Sequence, residues 1–127
     1  MVDALTRIHD ALVPGGTLVD TQPVSLRLPV AVGGDPAGEL EDEAWLEMVA
    51  AVDAELEKAL AAGLFEPRHE ERYTVVHEFG SGEECLNVVV ASWAGTSVPD
   101  DVAIRLERAS TRVTVEHEVR LRLLGRR

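Results

Sequence analysis

One cysteine, Cys85, stands in 127 residues. That excludes an internal disulfide and fits a reducing cytoplasm, the expected compartment. Aromatic residues make up only 4%, so the core has to be built from Leu, Val and Ala. Lysine is almost missing: Lys58 alone joins eleven arginines. With abundant Ala, Val and Gly, this bias suggests a GC-rich genome. No apolar run approaches the roughly 18 residues a membrane helix needs. The N-terminal MVDALTRIHDALV carries acids at a helical period, unlike a signal or transit peptide.

What is present reads as one globular domain, residues 1–127, since typical domains run from about 50 to 250 residues. Hydrophobic residues at 46% and charged residues at 28% are ordinary for a folded chain. Net charge is −11, from 23 acids against 12 bases. Such a chain repels phosphate backbones, so neither nucleic acid nor an anionic membrane is an expected partner. The acids concentrate in 39–57. The C-terminal end carries Arg105, Arg108, Arg112, Arg120, Arg122, Arg126 and Arg127, which reads as a solvated face and tail.

Leu5, Ile8 and Leu12 share one face of a short helix over 3–12, ended by Pro14-Gly15-Gly16. Thr17-Leu18-Val19 predicts a buried strand that stops near Asp20. From Val24 to Val32 apolar residues alternate, an edge ribbon that turns at Gly33-Gly34 and returns through Leu40. Pro29 argues against a central place in a sheet. Trp45, Val49, Val52, Leu56 and Leu60 form the stripe of a helix over 42–62, with acids in its first turn and Gly63 as its cap. Tyr73 to Phe79 predicts a strand. Ser81 with Glu84 is a capping-box pattern opening a helix over about 82–93. Pro99 opens another helix to about Ala109. Val113, Val115, His117, Val119, Leu121 and Leu123 then alternate with charged or polar residues, a long strand with one apolar and one charged face. The alternation of helices and strands predicts α/β layers.

The stretch from Leu5 to Asp20, a helix followed by Val13-Pro14-Gly15-Gly16-Thr17-Leu18-Val19, resembles a late signature of class I S-adenosylmethionine-dependent methyltransferases. There the helix precedes the fifth strand. Ala62-Gly63-Leu64-Phe65, the strand from Arg72 to Phe79, the helix opened by Ser81 and the segment from Pro99 to Leu106 follow in a similar order. The resemblance implies a partial Rossmann-like sheet of three main strands, the last antiparallel, with a short edge β-ribbon. The family's cofactor loop, D/E-x-G-x-G-x-G after the first strand, has no counterpart here. Gly15-Gly16 and Gly33-Gly34 do not follow a first strand and open a helix. The resemblance therefore implies no cofactor for the isolated chain, and S-adenosylmethionine only where the other half is supplied. It also implies a homodimer, or a heterodimer with a catalytic relative. A non-enzymatic interaction protein and an unrelated small α+β binding domain are the other readings.

No catalytic residue is assigned. Asp20, Thr21 and Gln22 are placed just past the first strand's C-terminal end, where open α/β sheets bind ligands, and form the candidate substrate cleft. His77 and His117 lie on apolar strand faces and approach each other if those strands pair antiparallel. Two imidazoles are half of a zinc site, and Cys85 or Glu78 would have to complete it, so no metal is expected. His69-Glu70 lacks the remainder of a zinc-protease motif, and Ser81 lacks the flanks of a nucleophile elbow. Trp45 and Trp93 read as core or interface anchors.

Overall fold

The computed structural model describes residues 2–127, with side chains from residue 4 onward. The elements are α1 (Val2–Ala11), β1 (Thr17–Pro23), β2 (Arg27–Val32), β3 (Asp35–Glu41), α2 (Glu43–Ala61), β4 (Phe65–Phe79), α3 (Gly82–Ser92), α4 (Asp100–Glu107) and β5 (Val113–Arg126). Helices and strands alternate as expected, but the five-stranded sheet is antiparallel, in the order β1-β5-β2-β3, with β4 also pairing β5. The ribbon expected at the edge is built into this sheet. Val30↔Val115 and Val32↔Val113 join β2 directly to β5.

Two compact units make up the chain: 1–23 with 47–73 and 119–127, and 24–46 with 74–118. In the first, β1 runs antiparallel to the end of β5 from Thr17↔Gly125 to Pro23↔Val119. Leu5 from α1, Leu56 and Ala59 from α2, Phe65 and Leu124 form its core, with Leu12, Leu18, Leu60 and Leu64 packed around them. The helical stripe read from sequence supplies part of this core. The buried first strand does not appear: β1 alternates exposed and half-buried positions, and Val19 is 56% exposed. Leu18, which points to the opposite side of β1 from Val19, is the β1 residue packed against this core.

In the second unit β2 and β3 form a hairpin around Gly33 and Gly34, whose φ values of 57° and 90° fit a two-residue turn requiring positive φ at both positions. Leu28, Val30, Leu40, Val113 and Val115 of the strands meet Cys85 and Val89 of α3 and Val102 and Leu106 of α4. Pro29 faces Glu39 of β3, while the β2–β5 pairing begins one residue later at Val30. β2 is therefore an inner strand, and its proline sits where no second partner asks for an N–H.

The expected cap is present in its first half, Ser81 Oγ accepting from the Glu84 N–H at 3.2 Å, while Glu84 Oε2 reaches one residue further back and accepts from the Gly80 N–H at 2.6 Å. Behind it α3 starts against the end of α4, Gly82 N–H donating to the Ala109 carbonyl at 3.0 Å. The largest difference from expectation is β4, which extends back to Phe65. Pro67 and the run His69-Glu70-Glu71-Arg72 carry no apolar alternation. Residues 67–74 are exposed on both sides of the strand. Charge in such a segment discourages pairing with foreign strands.

Candidate functional site

In the first unit, β1 does not end at Asp20. Asp20, Thr21 and Gln22 all lie within it, opposite Arg122, Leu121 and Arg120 of β5. Directly opposed residues in an antiparallel pair project to the same side, so Asp20, Gln22, Arg120 and Arg122 share one face. Asp53 reaches the same group from α2. Arg122 Nε and Nη2 both donate to Asp20 Oδ2, at 3.0 and 2.9 Å, and Nη2 also reaches Asp53 Oδ1 at 3.0 Å. Arg120 Nη2 donates to the same Asp53 oxygen at 2.8 Å, and Gln22 Nε2 donates to Asp20 Oδ1 at 2.9 Å. Glu57 stands at the rim, 3.8 Å from Arg122 Nη1.

Both charges of each sign are thus consumed internally. Arg122 is 9% exposed, and an ion so deeply placed needs its partners. The Asp20 carboxylate is engaged with Arg122 and Gln22, and Thr21 turns to the other face, exposed. The three residues thus lie within the β1–β5 ladder and not past a strand end. Arg120 and Arg122, expected on a solvated face, are instead largely enclosed in this network, and Asp53 joins them with no signal of its own in the sequence. Nothing local singles them out: they meet Asp20 only once the β1–β5 register is known.

In the second unit the strand histidines do come together. His77 Nε2 lies 3.2 Å from His117 Nδ1, with ring centroids 4.8 Å apart. Trp93, at the end of α3, sets its ring edgewise to His77 at 4.7 Å and also borders Phe79. Burial holds the proton affinity of His77 below its ordinary value, and His117 lowers it further. Burial lowers His117 too, against an opposing pull from the Asp42 carboxylate. Asp42 is itself buried and accepts a hydrogen bond from Thr96 Oγ1. Burial thus favours the uncharged form of both rings, and in the 3.2 Å contact one ring donates its N–H to the lone-pair nitrogen of the other.

Cys85 is fully buried between α3 and the sheet. Burial, with a contribution from Glu84, pushes its thiol up to about 11. A thiol of that kind is packing, not a nucleophile. An open groove of about 310 Å3 lies among Ser25, Arg27, Pro29, Thr74, Glu116 and Glu118. His117 also lines it. Among the described residues no cluster of three or more His, Cys, Asp or Glu is placed to hold a metal, and no described helix is long and apolar enough to cross a membrane. Comparison with protein-family models, with curated proteins and with solved structures gave no match.

Proposed function

We propose that this chain is the non-catalytic half of a class I methyltransferase-like domain, a subunit or fragment that completes its sheet against a cofactor-binding half. The observation that carries the reading is connectivity. β5 is the common partner of β1 and β4, in an antiparallel sheet. In the family the sequence resembles, the fifth, seventh and sixth strands stand in that order, with the seventh, the final strand of the chain, antiparallel to both. The helix preceding β1 and its Pro14-Gly15-Gly16 turn fit the same scheme.

The free edge of β1 supports a docking role. Among the described residues β1 pairs with β5 alone, so its other edge offers a row of backbone donors and acceptors to a partner strand. Val19 on that strand and Val13 before it are 56% and 71% exposed. In this role the chain supplies surface and support, and S-adenosylmethionine and the reacting groups belong to the partner half.

Two measurements test this. Calorimetric titration of the purified chain with S-adenosylmethionine is expected to show no saturable uptake, and tight uptake would overturn the reading. Sedimentation at high micromolar concentration is expected to show a dimer that Val19→Lys returns to monomer. A stable monomer with no dye-binding apolar surface would instead favour a second reading, a small α+β binding domain. The direct β2–β5 pairing is the observation on that side.

A further inference from the structure

We infer that His77 and His117 form a two-imidazole site for a divalent d-block ion, with Cu2+ bound most tightly and Zn2+ less so. The inference is independent of the methyltransferase reading. It starts from where the strands put the rings. Neither histidine sits on a flexible loop: His77 lies in β4 and His117 in β5, strands that pair with each other. Trp93 packs edgewise on His77, which limits how far that ring can turn away.

The distances suit chelation. Two nitrogens held about 2.0–2.1 Å from one ion, at angles between square-planar and tetrahedral, stand about 2.9–3.4 Å apart. The observed separation is 3.2 Å. Rings that converge on a shared ion at those angles bring their centroids to about 4.6–5.3 Å, and here they are 4.8 Å apart. Two rings in line through a single N–H···N bond would stand further apart, at about 5.5 Å for the same nitrogen separation. The two rings are therefore not aligned along a straight N–H···N bond, and their separations fall within the range that a shared ion requires.

The chemistry agrees with the geometry. Imidazole suits Cu, Zn and Ni, and Cu2+ heads the affinity order for a given site. The proton now shared between Nε2 and Nδ1 must move to the other nitrogen of its own ring, a tautomer change with no net proton loss. The Asp42 carboxylate, which raises the proton affinity of His117, favours an added positive charge. Glu78, the neighbour of His77, is already paired with Arg112 at 3.3 Å. Because no third His, Cys, Asp or Glu joins the pair among the described residues, the remaining positions on the ion stay open to water or an exchangeable ligand.

Cu2+ is the probe. Titrating the chain with CuSO4 in a non-chelating buffer at pH 7.5 should quench the fluorescence of nearby Trp93, saturating at one equivalent. Electron paramagnetic resonance of that complex should show two imidazole nitrogens on the ion. His77→Gln or His117→Gln should each weaken binding by roughly tenfold or more. His69→Gln, which alters a surface ring paired with Glu71, should not. Absence of saturation at millimolar Cu2+, a single coordinated nitrogen, or undiminished quenching in both folded variants would overturn the inference. The nitrogen count on the wild-type chain keeps the test decisive even if a variant fails to fold.

Discussion

Asp20 and Arg122 face each other across the β1–β5 register, and two guanidinium nitrogens of Arg122 converge on one carboxylate oxygen of Asp20 at 3.0 and 2.9 Å. The same carboxylate also accepts from Gln22 Nε2 at 2.9 Å. Removing the Asp20 charge takes from the buried Arg122 one of its two close carboxylate partners. Asp20→Asn is expected to destabilise the fold by about 3 kcal/mol, the low end of what breaking a buried pair costs, because Asp53 still holds Arg122 at 3.0 Å. Urea denaturation checks the magnitude. The double change Asp20→Leu with Arg122→Leu should cost less than Arg122→Leu and Asp20→Leu summed, since neither charge is then left alone.

The same strand shows why the sequence could be read only so far. Strict alternation from Val113 to Leu123 places every apolar residue on one face, and Val113 and Val115 do occupy the core of their unit. Towards the other end the buried positions change parity: Arg122 and Leu124 are inside, while Leu121 and Leu123 are only half-buried. A period of two marks one covered face and carries no signal for a strand whose two ends are covered by different helices. Asp20 and Arg122 are 102 residues apart, so their partnership depends wholly on tertiary register. The meeting of His77 and His117 was legible, because it required only that two strands with clear apolar faces pair antiparallel. The start of β4 was not: between Glu66 and Arg72 charge replaces alternation.

The histidine pair makes stability depend on acid. Both rings hold their protons less readily than the ordinary value of 6.5. A histidine with a depressed folded pKa stabilises the fold above its unfolded value, and that contribution is lost as pH falls through this region towards the folded pKa. Denaturation midpoints should therefore be level from pH 8 to about 7 and decline below about 6.5. In His77→Gln the decline should be shallower. A wild-type midpoint that rises on acidification from pH 7 to 5 would contradict neutral, half-buried rings.

Cys85 predicts the opposite arm of the pH profile. Its thiol is raised from 9.0 to about 11 by burial first and by Glu84 second. The stability gained by keeping it neutral is fully present below pH 9 and is lost as pH climbs towards about 11. At pH 8 a thiol reagent should modify the native protein only at the rate at which it opens. Moderate urea should accelerate that labelling in step with unfolding. Rapid stoichiometric labelling of the native chain would mean the thiol is accessible, against its complete burial.

Gly82 offers a test of how closely α3 and α4 approach. Inside a helix, Gly→Ala ordinarily stabilises by about 1 kcal/mol. At Gly82 the sign should reverse. A Cβ there would stand 1.7 Å from the Leu106 carbonyl oxygen and 2.5 Å from its carbon. Both are backbone atoms, so no side-chain rotation relieves the clash. The helices would have to separate, breaking the 3.0 Å hydrogen bond from Gly82 N–H to the Ala109 carbonyl and loosening Cys85 and Leu106 in the core. Gly82→Ala should cost about 1–3 kcal/mol, as overpacking does, read as a lower urea midpoint with an unchanged slope. Ser81→Ala, which removes the cap of the same helix end without touching α4, should cost about 1 kcal/mol. If Gly82→Ala instead left the midpoint unchanged or raised it, α3 and α4 would not pack at this distance, and the core built around Cys85 would be looser than described.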